Sequence, residues 1–279
     1  MLGSLVIVFR EVLEAAILIG ILAAATRSIP GRNRWLAGGI VAGLLGAGLV
    51  AASMDAIGQL ASGVGQELFN ASVLGVAVLM LAWHNIWMSS HGVALAADAR
   101  AVGQSIRDGR RECSILLLIV GLAVLREGAE TVLFLYGIAA SAGAQMNAML
   151  LGSLLGLALG VAVGYTLYAG LLRIPMRWFF AATGLLVLLL AAGMASQAAR
   201  FLIQADVLPS LVAPLWDTSS WISETSVFGL LLRGLIGYDA QPAGMQMVFY
   251  TVVMVTIAVG MKLANRKLQR QFQARQQPT

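Results

Sequence analysis

Seven apolar stretches long enough to cross a bilayer recur along the chain, at roughly 3–26, 36–54, 68–90, 113–138, 147–172, 177–200 and 245–264. A helix needs about 20 such residues to span hydrocarbon. Lipid offers no partner to backbone amides, so each stretch must satisfy its own as a helix. The pattern predicts an all-α polytopic membrane protein with seven transmembrane helices in a single domain over 1–279. The segments between the spans are short and polar, except for 201–244. That stretch carries Trp216 and Trp221, residues suited to the membrane interface, and has room for a short helix against the bundle mouth.

Composition agrees. Of 279 residues, 59% are hydrophobic and 11% charged, whereas soluble domains carry about 25% charge. The sequence pI near 9.9 would suit nucleic acid if the cations formed one face or run. They are instead spread through the gaps between spans, so no nucleic-acid partner is expected. Cys113 is the single cysteine, which excludes an internal disulfide and a multi-cysteine metal site. A signal peptide ending near Ala23-Ala24-Ala25 is disfavoured, because its core would hold Arg10, Glu11 and Glu14.

The gap charges orient the chain. Arg27, Arg32 and Arg34 follow the first span. Arg100, Arg107, Arg110 and Arg111 follow the third, Arg173 and Arg177 flank the fifth and sixth, and five cations follow the last. With seven spans these fourteen fall on one side, against Arg200 and Arg233 on the other. The positive-inside rule then places the N-terminus outside and the C-terminus in the cytoplasm. The outer side collects acids instead: Asp55, Glu67, Asp206, Asp217, Glu224 and Asp239. They serve either loop solubility or a vestibule that concentrates cations. Glu67, Asp217, Glu224 and Asp239 are the candidates for an outer entrance.

The chain repeats itself. Arg10-Glu11-Val12-Leu13-Glu14 recurs as Arg126-Glu127-Gly128-Ala129-Glu130, offset by 116. Gly39 and Gly43 in the second span pair with Gly156 and Gly160 in the fifth at an offset of 117. Two units of three helices, about 1–112 and 113–200, would enter the membrane in opposite senses. Segment 201–244 would then be an outer loop, with the seventh helix and a cytoplasmic tail over 245–279. That is a 3+3 inverted repeat plus one helix, a plan that places a transport site near the midplane.

Charge within a span costs about 2.5–3.5 kcal/mol per residue at the helix centre, yet each motif holds three. Spacings of three and four put Arg10, Glu11 and Glu14 on one helical face. The same holds for Arg126, Glu127 and Glu130. An arginine can neutralise one glutamate and fix its rotamer, leaving a net negative charge in each motif. Glu11, Glu14, Glu127 and Glu130 are the candidate metal ligands, and Arg10 and Arg126 the residues that orient them. Four carboxylates suit hard cations. A buried ion pair or a proton relay are the other uses open to such residues, although pairing alone leaves the second glutamate of each motif unexplained. His84, beside Trp83 and Asn85, is expected to be a hydrogen-bonded packing residue rather than a ligand. No nucleophile–base arrangement accompanies the acids, so an enzyme is not expected.

Residues 10–16 and 126–130 resemble the oxidase-dependent iron permease family of fungi and bacteria. Gln66-Glu67-Leu68-Phe69 leading to Trp87-Met88 is similar as well, as is the stretch from Trp216-Asp217-Thr218-Ser219 through Gly237-Tyr238-Asp239 and Pro242 to Tyr250. Asn70 departs from the pattern, since the family often has an acid there. The resemblance implies a permease domain in the cell inner membrane that takes up iron with high affinity, the four motif glutamates binding it in transit. It further implies ferric iron as the cargo, after oxidation by a separate periplasmic or membrane-attached protein that oxidises or delivers it. No bound organic cofactor is expected. Permeation of another cation, such as lead or manganese, and a non-transporting subunit of a metal-uptake complex are the alternatives.

Overall fold

The computed structural model describes residues 1–60, 65–142, 146–169, 176–223 and 226–276. Eight helices follow one another there: α1 (Leu2–Ala25), α2 (Arg32–Leu60), α3 (Gln66–Arg107), α4 (Ile115–Ala142), α5 (Met146–Tyr168), α6 (Met176–Gln204), α7 (Val227–Ile236) and α8 (Gly244–Gln276). Each of the seven expected spans overlaps a long helix, although residues 170–172 of the fifth lie outside the described residues. The last of them is α8, because the short α7 lies within the 201–244 loop.

Among the described residues, five helices are long and apolar enough to cross a membrane, over 32–54, 66–88, 146–168, 182–204 and 244–264. The long helices α1 and α4 stand apart because each carries three charged residues, Arg10, Glu11 and Glu14 in one and Arg126, Glu127 and Glu130 in the other.

One boundary differs from expectation. A loop was expected after residue 90, but α3 runs on to Arg107, about 63 Å at 1.5 Å per residue. Its distal half is polar yet keeps an apolar stripe of Ala99, Val102 and Ile106, spaced three and four apart. The stripe packs with Leu22, Leu36, Leu116, Val120 and Val124. Burial of that stripe against three helix ends favours helix over loop. Arg100 and Arg107 therefore sit on a helix, not in a loop.

The bundle is interleaved. The closest partner of α1 is α5, and that of α4 is α2; α3 packs on α6, and α8 covers α6 and α3. Glycines make the two crossed pairs possible. A Cβ on Gly43 would lie 2.8 Å from the Gly121 carbonyl oxygen, and one on Gly156 would lie 2.6 Å from that of Leu5. The contacts revise the expected glycine register. Gly39 and Gly43 of α2 face Val120 and Val124, whereas Gly152 and Gly156 of α5 face Ser4 and Val8. The matching glycines are thus 39/152 and 43/156, one helical turn from the sequence match, while the facing residues keep the 116 offset of the charged motifs.

The outer loop is tied to itself. Leu215 N–H donates to the Pro242 carbonyl at 2.8 Å and Thr218 N–H to that of Ala240 at 3.0 Å. The hydroxyls of Thr218 and Tyr238 lie 2.6 Å apart. Ser226 caps α7 by accepting from Gly229 N–H, and Gly237 closes it with φ +69°. Gly237 rests on Gly193 of α6, where a Cβ would lie 2.6 Å from its Cα.

Candidate metal site

Three helices build the site. Glu11 and Glu14 come from α1, His84 from α3, and Glu127 and Glu130 from α4. Turns of apolar side chains on the same helices fix their height. Ile7, Leu81 and Phe134, each three or four residues from a site residue, are fully buried in one cluster. Leu22, Val120 and Val124 belong to a second cluster on the opposite side. The charged groups lie in a layer between the two.

Within that layer both motifs converge. Arg10 Nε is 3.0 Å from Glu14 Oε1, and Arg10 Nη1 is 3.6 Å from Glu11 Oε1. Arg126 Nε is 3.1 Å from Glu130 Oε1 and 3.8 Å from Glu127 Oε1. Each arginine engages both glutamates of its own motif, as the spacing requires. His84 bridges the motifs, with Nε2 3.2 Å from Glu14 Oε2 and Nδ1 2.6 Å from Glu130 Oε2. One potential ligand atom from each of Glu11, His84, Glu127 and Glu130 lies within 4.8 Å of the others. Both oxygens of Glu11 and Oε2 of Glu127 are buried without a hydrogen-bond partner. Buried carboxylate oxygens in that state are costly unless something cationic joins them.

The two motifs differ in exposure. The Arg10 side chain is 2% exposed and the Arg126 side chain 40%. Arg126 also lies over the Trp87 ring, 5.2 Å from its centroid. The layer is thus more exposed on the α4 side than on the α1 side.

The six motif residues singled out in the sequence lie in one layer, and His84, expected to be a hydrogen-bonded packing residue, stands between the motifs. A neutral polar residue in an apolar helix signals only that a hydrogen bond is made, not with what. Its partners lie 46 and 70 residues away in the chain. Glu14 is close by, yet stands outside the group of mutually adjacent ligand atoms, with its oxygens facing Arg10 and His84.

The outer candidates do not join this site. Glu67 is exposed in the first turn of α3, 17 residues before His84 and so about 26 Å along the helix. Asp217 and Asp239 both accept from Gln241 in the tied loop. Asp217 accepts from the Ser219 hydroxyl at 2.5 Å, from Ser219 N–H at 2.9 Å and from Gln241 Nε2 at 2.8 Å. These bonds hold its carboxyl below the usual carboxylate range, the Ser219 hydroxyl contributing most. Asp239 is 3.5 Å from Arg200 Nη1 and accepts from Gln246 Nε2 at 3.2 Å. Arg200, Ser219, Ser223, Asp239, Gln241 and Gln246 line a polar recess of about 450 Å³. Glu224 lies outside the described residues.

Comparison with known proteins adds a separate line. The sequence model of the iron permease FTR1 family matches residues 1–269. The ferrous iron permease EfeU of Escherichia coli O157:H7 is 31% identical over 276 residues, covering 93% of this chain and 95% of that protein. The protein of the same name from Shigella sonnei strain Ss046 matches to the same extent. That of Escherichia coli O6:H1 strain CFT073 is 32% identical over 277 residues. No solved structure matches.

Proposed function

The chain belongs to the iron permease FTR1 family, and from that premise we propose that iron crosses the membrane through the charged layer between α1, α3 and α4. The observation that carries this reading is the convergence of buried carboxylates from both motifs within ligand distance of one another. Glu11, Glu127 and Glu130 hold the ion in transit. Arg10 and Arg126 keep the carboxylates apart and aimed when the ion has left. The apolar clusters on either side seal the layer, so passage requires them to part in turn.

The interleaved packing supports the 3+3 inverted repeat. The α1–α5 pair has its counterpart in α4–α2, with corresponding residues facing the glycines. Two related units that rock about the charged layer would expose it alternately. The gap charges support an outer N-terminus and a cytoplasmic C-terminus. An inside-negative membrane potential then drives a cation inward by about 2.3 kcal/mol per charge per 100 mV.

The relatives are named for ferrous iron, and we take the divalent ion as the species carried. Ferric iron oxidised or delivered by an extracytoplasmic partner is the second reading, favoured by three hard carboxylates in one cluster. Radio-iron uptake in cells without their own importers tests both. Wild type is compared with Glu11→Gln and Glu127→Gln at equal membrane expression. Uptake should fall below about a tenth in either variant, the scale of a lost metal contact. Full uptake by both would overturn the shared site. Uptake under ascorbate that a ferrous chelator abolishes identifies the divalent ion. Uptake of ferric citrate that withstands the chelator identifies the trivalent one.

A further inference from the structure

We propose that His84 is a metal ligand, and that its nitrogen, in place of a carboxylate from Glu14, makes the site prefer a divalent transition ion such as ferrous iron over manganese, magnesium and calcium. The proposal rests on the transport site above and names its donor set.

The donor geometry separates the four glutamates. Glu11, Glu127 and Glu130 share a ligand group with His84, and Glu14 does not. Glu14 lies instead against the far ring nitrogen, Oε2 at 3.2 Å from Nε2, and is itself held by Arg10 Nε at 3.0 Å. On the near side Arg126 Nη2 is 3.3 Å from Nδ1. A guanidinium can only donate, whereas Glu130 Oε2, 2.6 Å from the same nitrogen, accepts, so Nδ1 stands between a donor and an acceptor. Nδ1 also shares its surroundings with the unpartnered oxygens of Glu11 and Glu127. A proton between Nδ1 and Glu130 holds the 2.6 Å contact, and a cation that displaces it meets a ring nitrogen and three carboxylates gathered within 4.8 Å of one another.

The rest of the arrangement is what ligating histidines use. Their second nitrogen is normally donated to a carboxylate, which fixes the tautomer and turns the ring toward the ion. Here Glu14 fills that place and Arg10 orients Glu14. The first motif therefore divides its glutamates between two tasks: Glu11 reaches the ion and Glu14 holds the histidine. In the second motif both glutamates reach it. A mixed nitrogen–oxygen set suits iron and its later neighbours, whereas oxygen alone suits manganese, magnesium and calcium.

Pulsed electron paramagnetic resonance on the full-length protein in lipid nanodiscs, with manganese(II) as the bound probe, tests this without relying on transport. Wild type should show nitrogen modulation that changes with ¹⁵N-histidine labelling. The chain has two histidines, so His91→Gln should retain the modulation and His84→Gln should lose it. In cells, His84→Asp should lower the ratio of iron to manganese uptake at least about tenfold, as loss of a metal contact does. Absence of nitrogen modulation in wild type, or its persistence in His84→Gln, overturns the ligand assignment even if iron is transported. An unchanged iron-to-manganese ratio in His84→Asp overturns the selectivity. Iron uptake that withstands Glu11→Gln and Glu127→Gln would instead sink the transport site, while the resonance result would still read on His84.

Discussion

Two arginines with the same sequence spacing do different work because their surroundings differ. Arg10 is buried beside two buried glutamates, and its removal leaves both carboxylates uncompensated. Breaking a buried pair in this way costs about 3–5 kcal/mol. Arg10→Ala should therefore lower thermal stability in detergent and reduce the amount of folded protein. Arg126 is 40% exposed, so a lysine there keeps its charge beside Glu130 and gives up fewer buried contacts than a change at Arg10. Arg126→Lys should leave stability within about 1 kcal/mol of wild type and still impair uptake. Lysine keeps the charge but cannot hold Glu130, His84 and the Trp87 face with one planar group. Thermal unfolding and radio-iron uptake on the same preparations check both. Equal loss of stability in the two variants would mean that exposure does not distinguish them.

At the scale of helices, close approach sets where the carboxylates stand. The glycine faces of α2 and α5 let α4 and α1 come near enough for backbone contact, where dispersion and weak polar contacts replace the hydrophobic effect that lipid does not supply. A methyl group on Gly43 or Gly156 would collide with backbone oxygen, which cannot move aside as a side chain can. Gly43→Ala and Gly156→Ala should each cost about 1–3 kcal/mol, the usual range for overpacking. Gly48 faces nothing within 4 Å, so Gly48→Ala on the same helix should be neutral or slightly stabilising, since alanine is the better helix former. Thermal unfolding of the three variants in one detergent gives the comparison. A cost at Gly48 equal to that at Gly43 would show that helix backbone, not interhelical contact, is responsible.

For the whole molecule, orientation and interleaving carry the consequences. A fluorescent protein fused after residue 276 should light up, and alkaline phosphatase at the same point should stay inactive, because the positive-inside rule assigns the cationic gaps and tail to the cytoplasmic side. The reverse pattern would invert the path proposed for iron. In the proposed 3+3 repeat, interleaving ties the two three-helix units together. Each unit's first helix finds its main partner in the other unit, so motion of one displaces the site shared by both.

Helices and motif carboxylates were legible in the sequence because both report large energies. An unpaired backbone group or a charge in hydrocarbon is so unfavourable that long apolar runs, and six charged residues within two of them, admit few readings. The length of α3 was not legible. Its distal half is polar and earns its helix only by laying Ala99, Val102 and Ile106 against the ends of other helices. The glycine register was misread by one turn, since glycines recur too often in this chain for a match in sequence to identify a match in contact. His84 was hidden for a related reason: one neutral imidazole among apolar residues fits many partners. Only the packing of α3 beside α1 and α4 decides that its two nitrogens face Glu14 and Glu130. The sequence by itself determined that this protein lives in a membrane and keeps carboxylates there. Tertiary structure decided which of them meet and what stands among them, because distances across 46 and 70 residues of chain are set by helix packing and not by spacing.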